Sequence, residues 1–321
     1  MEQRLGKGWD LISLLKPYIV DLTSLRLFGA CGAYFGPILN LYANTYPLGS
    51  LKSLSVDELD RGEFVIGPFV WPTNALHGLT CLKLRDMHKD TRLGMDGLVK
   101  ILASSPALHT LQLDSALPTT DSGHSYPEIN LPCLRLLRLQ CLNSGALPIL
   151  LSILVPGSLE VDVRLVLDMQ IDRTSSAAIQ SFLKRANITR LSLSGGPIHG
   201  TSWLGEQLDC VPKLQLLALE RGIFDSWDIL DALMLPTTEG NFGARCPNLR
   251  LLRMDGGAVN LREYSQLKRV VECHQLSTII FGDETIVIWI RKEVIEWLRQ
   301  RIGKVAVHKS KRRFEAFEDW D

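Results

Sequence analysis

Aliphatic residues recur along this chain in one spacing, i, i+3 and i+5. They stand as Leu22/Leu25/Leu27, Leu51/Leu54/Val56, Leu79/Leu82/Leu84, Leu108/Leu111/Leu113 and Leu134/Leu137/Leu139. The spacing resumes as Ile188/Leu191/Leu193, Leu214/Leu217/Leu219, Leu249/Leu252/Met254 and Leu276/Ile279/Phe281. The last two members of each triplet alternate with other residues, most of them polar, as a short strand with one buried face requires. Between the fifth and sixth triplets, residues 159–167 alternate in the same way. They predict a further strand whose register the pattern leaves open.

With Leu159 taken as the start of that strand, all but one of the repeats begin 25 to 29 residues apart; the exception is the 35-residue step from Leu214 to Leu249. That period is the one leucine-rich repeats use. Each strand is too short to bury itself, so repeats must stack and share a core. The prediction is an α/β leucine-rich-repeat solenoid of about ten repeats. A curved parallel sheet would line its concave side, with helices and loops on the convex side.

Return helices are expected over 94–103, with Leu98, Ile101 and Leu102 on one face, and over 175–185, with Ile179, Phe182 and Leu183. A third is expected over 260–273, opening on Asn260 as N-cap and burying Leu261, Tyr264, Leu267 and Val271. Four strands are entered through a proline (Pro106, Pro132, Pro212 and Pro247), which ends a helix and presets extended chain. Residues 57–75 and 114–131, punctuated by glycine and proline, read as connections without a helix, and the long step as a short helix over 225–233 and a loop over 235–246. Amphipathic segments at 9–19 and 290–302, the latter followed by a strand-like 304–309, suit solenoid caps. The plan is thus an N-terminal capping helix over 1–21, the solenoid over 22–285, and a C-terminal cap with a charged tail over 286–321.

Composition agrees with one long core: 56 of 321 residues are leucine. Lys+Arg and Asp+Glu are equal at 35, which argues against a nucleic-acid or membrane-surface binder working through bulk charge. Hydrophobic residues at 46% against 22% charged exclude a disordered chain. Seven cysteines without a C-x-x-C, and an N-terminus without an apolar h-region, point to a cytoplasmic or nuclear setting without a disulfide framework. The longest apolar run, 146–155, is about half of what a membrane span needs.

Repeat entries such as Ser105-Pro106-Ala107-Leu108 and Cys246-Pro247-Asn248-Leu249 resemble the leucine-rich-repeat half of fungal F-box proteins. The opening from Trp9 to Leu27 resembles the segment that follows the F-box in mushroom-type members. The resemblance implies a substrate-recruiting role in a ubiquitin ligase. It implies a cullin-ligase adaptor as partner only where an F-box stands upstream, because only 21 residues precede Leu22 and no Leu-Pro-x-Glu start is present. The chain also departs from the most regular repeats. Three residues past the last strand aliphatic, where Asn or Cys is usual, it has Ala30, Leu59, Met87, Ala116, Leu142, Gly196, Gly222, Gly257 and Glu284. No asparagine ladder can form there, so the turns must satisfy their backbone groups otherwise.

No phosphate-binding loop, dinucleotide fingerprint, metalloprotease or nucleophile-elbow motif occurs. The seven histidines are dispersed, and Cys81, Cys133, Cys210, Cys246 and Cys273 sit at strand entries and helix ends, where a small apolar residue packs well. Asn187-Ile188-Thr189 matches a glycosylation acceptor, and His308 to Arg313 reads as a solvated tail, with a nuclear-import or anion patch as the alternative. The expectation is a non-enzymatic module with no cofactor or metal, whose partner is a protein.

Residues between the buried aliphatics face outward. Asp57, Arg85 and Asp114 would stack as alternating charges across three strands. Arg138, with Arg164 if the irregular strand stacks in line, would form an unpaired basic centre suited to an acidic or phosphorylated segment. Later strands turn apolar through Leu216, Ala218, Leu251 and Ile280, a candidate exposed patch. The candidate protein-binding residues are Arg26, Lys83, Arg85, Arg138, Arg164, Leu216, Leu251 and Arg253. The alternative reading is a free-standing repeat scaffold or inhibitor with no ubiquitin link.

Overall fold

The structure is a computed structural model that describes residues 17, 22–28, 32–45, 51–57, 70–87, 91–116, 125–140, 145–167, 172–195, 200–220, 227–238, 242–255, 265–282 and 292–308. The chain forms two compact units, Met1–Val161 and Asp162–Asp321.

In the first unit, β1 (Ser24–Phe28), β2 (Ser53–Asp57), β3 (Cys81–Arg85) and β4 (Thr110–Asp114) lie side by side in parallel. β5 (Ile129–Leu131) stands apart, and β6 (Leu136–Gln140) extends the sheet next to β4. The middle aliphatics fall in one register row, Leu25–Leu54–Leu82–Leu111–Leu137, and the last ones in another, Leu27–Val56–Leu84–Leu113–Leu139. From β2 to β6 both rows are almost wholly buried. Each such leucine contributes about 1.5–3 kcal/mol relative to exposure, so the rows fix the strand register.

The helices of this unit are α1 (Gly32–Thr45), α2 (Met95–Ala103) and α3 (Ala146–Ile153). α2 buries Leu98, Ile101 and Leu102, as its period predicts. In the connection 114–131, expected to lack a helix, β5 pairs in parallel with β7 (Leu154–Pro156). In the connection 57–75, a single 3-10 turn forms at Thr73–Ala75, and 58–69 lie outside the described residues.

The second unit repeats the plan. β8 (Glu160–Leu167), β9 (Asn187–Gly195) and β10 (Leu216–Leu219) are consecutive neighbours. An antiparallel hairpin of β11 (Met234–Pro236) and β12 (Phe242–Ala244) then intervenes, where a loop over 235–246 was expected. β13 (Leu251–Met254), β14 (Thr278–Gly282) and β15 (Lys304–His308) complete the parallel sheet. The open register at 159–167 is now fixed: Val161, Val163, Leu165 and Leu167 point inward, while Asp162, Arg164 and Val166 point outward and are half-buried.

Helices α4 (Arg173–Arg185), α5 (Gly200–Leu208), α6 (Ser265–Cys273) and α7 (Lys292–Arg301) follow their strands, with a 3-10 helix at Trp227–Leu233. α4 is capped by Asp172, whose carboxylate accepts from the Ser175 N–H at 2.7 Å. The expected caps at 9–19 and at Asn260, and the tail beyond His308, lie outside the described residues.

One local device recurs in both units. Leu108, Leu134, Leu214 and Leu249 each donate their N–H to the carbonyl three residues back (Ser105, Leu131, Val211 and Cys246) at 3.0–3.1 Å. Each turn carries proline at its second position, where a fixed φ preorganises the bend. The missing asparagine ladder is replaced by bonds between neighbouring strand ends. In the first unit the Asp86 and Ser115 N–H groups donate to the Asp114 and Gln140 carbonyls; in the second, Glu220 and Asp255 donate to Leu193 and Leu219. Asp86 and Ser115 adopt φ of 48°, and Met87 and Ala116, which occupy the asparagine position, are buried.

These features define an α/β leucine-rich-repeat solenoid.

Candidate functional site

The parallel registers assemble the outward residues into rows. In the first unit Arg26, Ser55, Lys83, Gln112 and Arg138 form one row, and Phe28, Asp57, Arg85, Asp114 and Gln140 the next. Arg26 is exposed and Lys83 half-buried.

The expected charge ladder forms on one side only. Arg85 approaches Asp57 at 3.9 Å, but on its other side it donates to Gln112 Oε1 at 3.1 Å rather than pairing with Asp114. Asp114 is buried, and its carboxyl is pushed up to about 6, chiefly by that burial and then by the nearby Asp86 charge; Arg138, Ser115 and Arg85 pull the other way. Burial also raises Asp57, against the pull of Arg85. Asp57 Oδ1, Arg85 Nε and Gln112 Nε2 are buried without hydrogen-bond partners. Arg138 donates to Gln140 Oε1 at 3.0 Å.

In the second unit the rows are Arg190–Leu216–Leu251–Thr278–Lys304 and Ser192–Ala218–Arg253–Ile280–Ala306. The expectation of an unpaired Arg164 is corrected here: it donates from Nε and Nη2 to the two oxygens of Asp162, at 3.3 and 2.9 Å. Spacing two along a strand puts both side chains on one face, so a carboxylate at that offset meets the guanidinium.

The same device operates in mirror order at Arg253, whose Nη2 donates to Asp255 Oδ2 at 2.8 Å. Arg253 is 6% exposed although it stands on the outward row. Gly282, which follows the β14 residue opposite Met254, leaves room for this pair, since a Cβ there would collide with the Asp255 carboxylate. The apolar stretch is also corrected: Ala218 and Ile280 are buried, and Leu216 and Leu251 half-buried, so they do not form an exposed patch.

Arg164, Leu216 and Arg253 line a hollow of about 20 Å³ together with Asp162, Arg190, Ser192 and Ala218. Of the predicted residues, Leu251 adjoins it in register through Leu216. Arg26, Lys83, Arg85 and Arg138 belong to the other unit. Sequence reasoning missed Arg190, which stands one alternation before the two rows it followed; the signal was its place immediately before the middle leucine, Leu191.

Among the described residues, the remaining thiols and His274 are set as packing groups. Burial pushes the Cys246 thiol up to about 12 and raises Cys210 and Cys273, the opposite of what a nucleophilic thiol needs. His274 is buried, which lowers its pKa, and its Nδ1 faces the Val270 carbonyl at 3.1 Å. Asn187 of the acceptor motif opens β9, where Ile188 and Thr189 are buried. Among the described residues no group of three metal-ligating side chains converges, and no helix is long and apolar enough to cross a membrane.

Among solved structures, the chain is similar to the leucine-rich-repeat-containing protein LegL7 from Legionella pneumophila, at 16% identity over 88% of this chain and 89% of that one, with a TM-score of 0.42. No family model and no curated protein sequence matches the chain.

Proposed function

We propose that this chain is a non-enzymatic protein-interaction module that receives an extended segment of a partner on its outward sheet face. One observation carries the reading: charged side chains that folding does not require are retained, partly or fully buried, on that face. Asp57 and Asp114 are each at most 9% exposed and only weakly compensated by neighbouring cations. Burying a charge costs stability unless it is well paired, so such groups fit a recognition surface better than a structural one.

The basic members, Arg26, Lys83, Arg85, Arg138, Arg164 and Arg253, favour an acidic or phosphorylated segment, with Leu216 and Leu251 supplying apolar contact. The resemblance of residues 9–27 and of the proline entries to fungal F-box proteins extends the proposal to substrate recruitment for a ubiquitin ligase in the cytoplasm or nucleus, with a cullin-ligase adaptor as second partner where an F-box stands upstream.

Affinity capture with mass spectrometry tests both levels. The wild-type chain should enrich a protein that the Arg138→Glu variant, in the first unit, or the Arg164→Glu variant, in the second, loses. Unchanged capture would remove the acidic-segment site. Co-purification of the adaptor with the transcript's full product supports the ligase role; its absence reduces the proposal to a free-standing module.

A further inference from the structure

The hollow of the second unit specifies what a bound segment must present there; the inference rests on the interaction reading above. Its floor is Ser192 and Ala218, neighbours in register whose small side chains leave space between larger ones. Arg164 and Arg253 contribute guanidiniums, and Arg190 and Leu216, one alternation earlier along β9 and β10, line it on that side.

Two of the guanidiniums are held in place. Each carries its donors in a rigid plane, so a carboxylate two residues away on the same strand fixes where that plane lies. Asp162 does this for Arg164 and Asp255 for Arg253. Arg190 is exposed, and no ion pair or side-chain hydrogen bond engages it among the described residues. Asp162 and Asp255 thus match two of the three guanidiniums, and the positive charge left over at the hollow is that of Arg190. Asp255 and Glu220, which accepts from Ser192 Oγ at 3.2 Å, lie further along the strands. A cation is disfavoured there and an anion favoured.

Size then selects the anion. About 20 Å³ is room for one or two water-sized groups. A carboxylate presents two oxygens in a plane that matches a guanidinium edge, whereas a phosphate monoester presents three in a tetrahedron. Leu216 at the rim and Leu251 beside it offer an apolar shelf to the adjoining part of the segment.

We infer that the hollow receives a single carboxylate side chain, Glu or Asp, from an extended segment of a protein partner, with a neighbouring apolar residue of that segment against Leu216 and Leu251. The probe is an array of short peptides, randomised except for one central residue fixed as Glu, Asp, Gln or phosphoserine, incubated with the full chain. Fixed Glu or Asp should exceed fixed Gln by about five- to ten-fold, the size of a charge-assisted pair. Arg190→Glu, a change at an exposed position, should bring that ratio to about one while the thermal unfolding midpoint stays put.

Three results would each overturn the inference: equal signals for Glu and Gln, a phosphoserine signal above Glu, or a preference that survives Arg190→Glu. Silence of the whole array, alongside capture of a partner that the Arg138→Glu chain loses, would overturn the hollow and leave the interaction module standing.

Discussion

The first unit holds buried carboxylates on its outward sheet face, and the second holds a buried guanidinium. Asp57 and Asp114 are both raised by burial and only weakly compensated, with Arg85 3.9 Å from one and turned to Gln112 on its other side. Arg253, by contrast, is gripped at 2.8 Å by a carboxylate two residues along its own strand, in space left by a glycine. The backbone underneath is the same in kind, with buried triplets, parallel registers and proline turns of identical hydrogen bonding. The contrast teaches that the leucine rows decide the fold while the residues between them are free to set opposite electrostatics.

The sharpest way to break that symmetry of backbone is at Gly195, which closes β9 with φ at 119° and whose added Cβ would run into the Leu167 carbonyl. Gly195→Ala should cost the second unit roughly 3 kcal/mol or more, because both the left-handed backbone and the close approach forbid a side chain. Equilibrium denaturation measures it; a loss below about 1 kcal/mol would show the backbone there to be pliant.

Next in size is the grip on Arg253. Asp255→Asn should destabilise by about 2–3 kcal/mol, since it leaves a buried cation with a weaker acceptor. Gly282→Ala should mimic it by displacing the carboxylate. If Asp255→Asn is as harmless as the corresponding change at Asp57, the two faces do not differ as described.

Asp114 gives the contrast a pH signature. Its folded value of about 6 lies above the ordinary 3.8, so between those values the native state keeps a proton that the unfolded chain has lost. Stability therefore falls as pH rises from about 4 to 6 and stays lower above that. Asp114→Asn should leave stability unchanged near pH 4 and raise it by about 1–2 kcal/mol at pH 7. Denaturant titrations at the two pH values provide the check, and a variant that gains equally at both would contradict the assignment.

The smallest expected effect is Asp57→Asn. It removes a partly desolvated charge and a long ion pair, so the change should lie within about 1 kcal/mol of zero and lean toward stabilisation at pH 7.

The strands were legible because their aliphatic triplets repeat at nearly constant distance, and nine predicted triplets each lead into an observed strand. Helices α1, α3 and α5 were not. Pro37 sits inside α1 and reads as a breaker, and α3 buries Ala146, Leu147, Leu150, Leu151 and Ile153 with hardly a polar position to set a period. α5 opens on a glycine. The hairpin at 234–244 reads as loop in the sequence because its strands are three residues each, too short for an alternation.

The outward rows were legible by position, but their chemistry was not. Whether Arg164 is paired depends on a carboxylate two residues away choosing its rotamer, and whether Arg253 is buried depends on the side chains of the neighbouring strands. The pattern Asp162-x-Arg164 and Arg253-x-Asp255 is visible in the chain, and it acquires meaning only once the alternation is known to place both side chains on one face.

The central claim is that the outward sheet face, and not the helix side, meets the partner. Photo-cross-linking tests it most directly, with a photoreactive residue placed singly at Lys83 and at Arg190 on the sheet face, and at Lys100 and Gln180 on helices α2 and α4. The account predicts covalent adducts to one protein from the first two positions and none from the helical pair. Adducts to that protein from Lys100 or Gln180, with Lys83 and Arg190 silent, would contradict it.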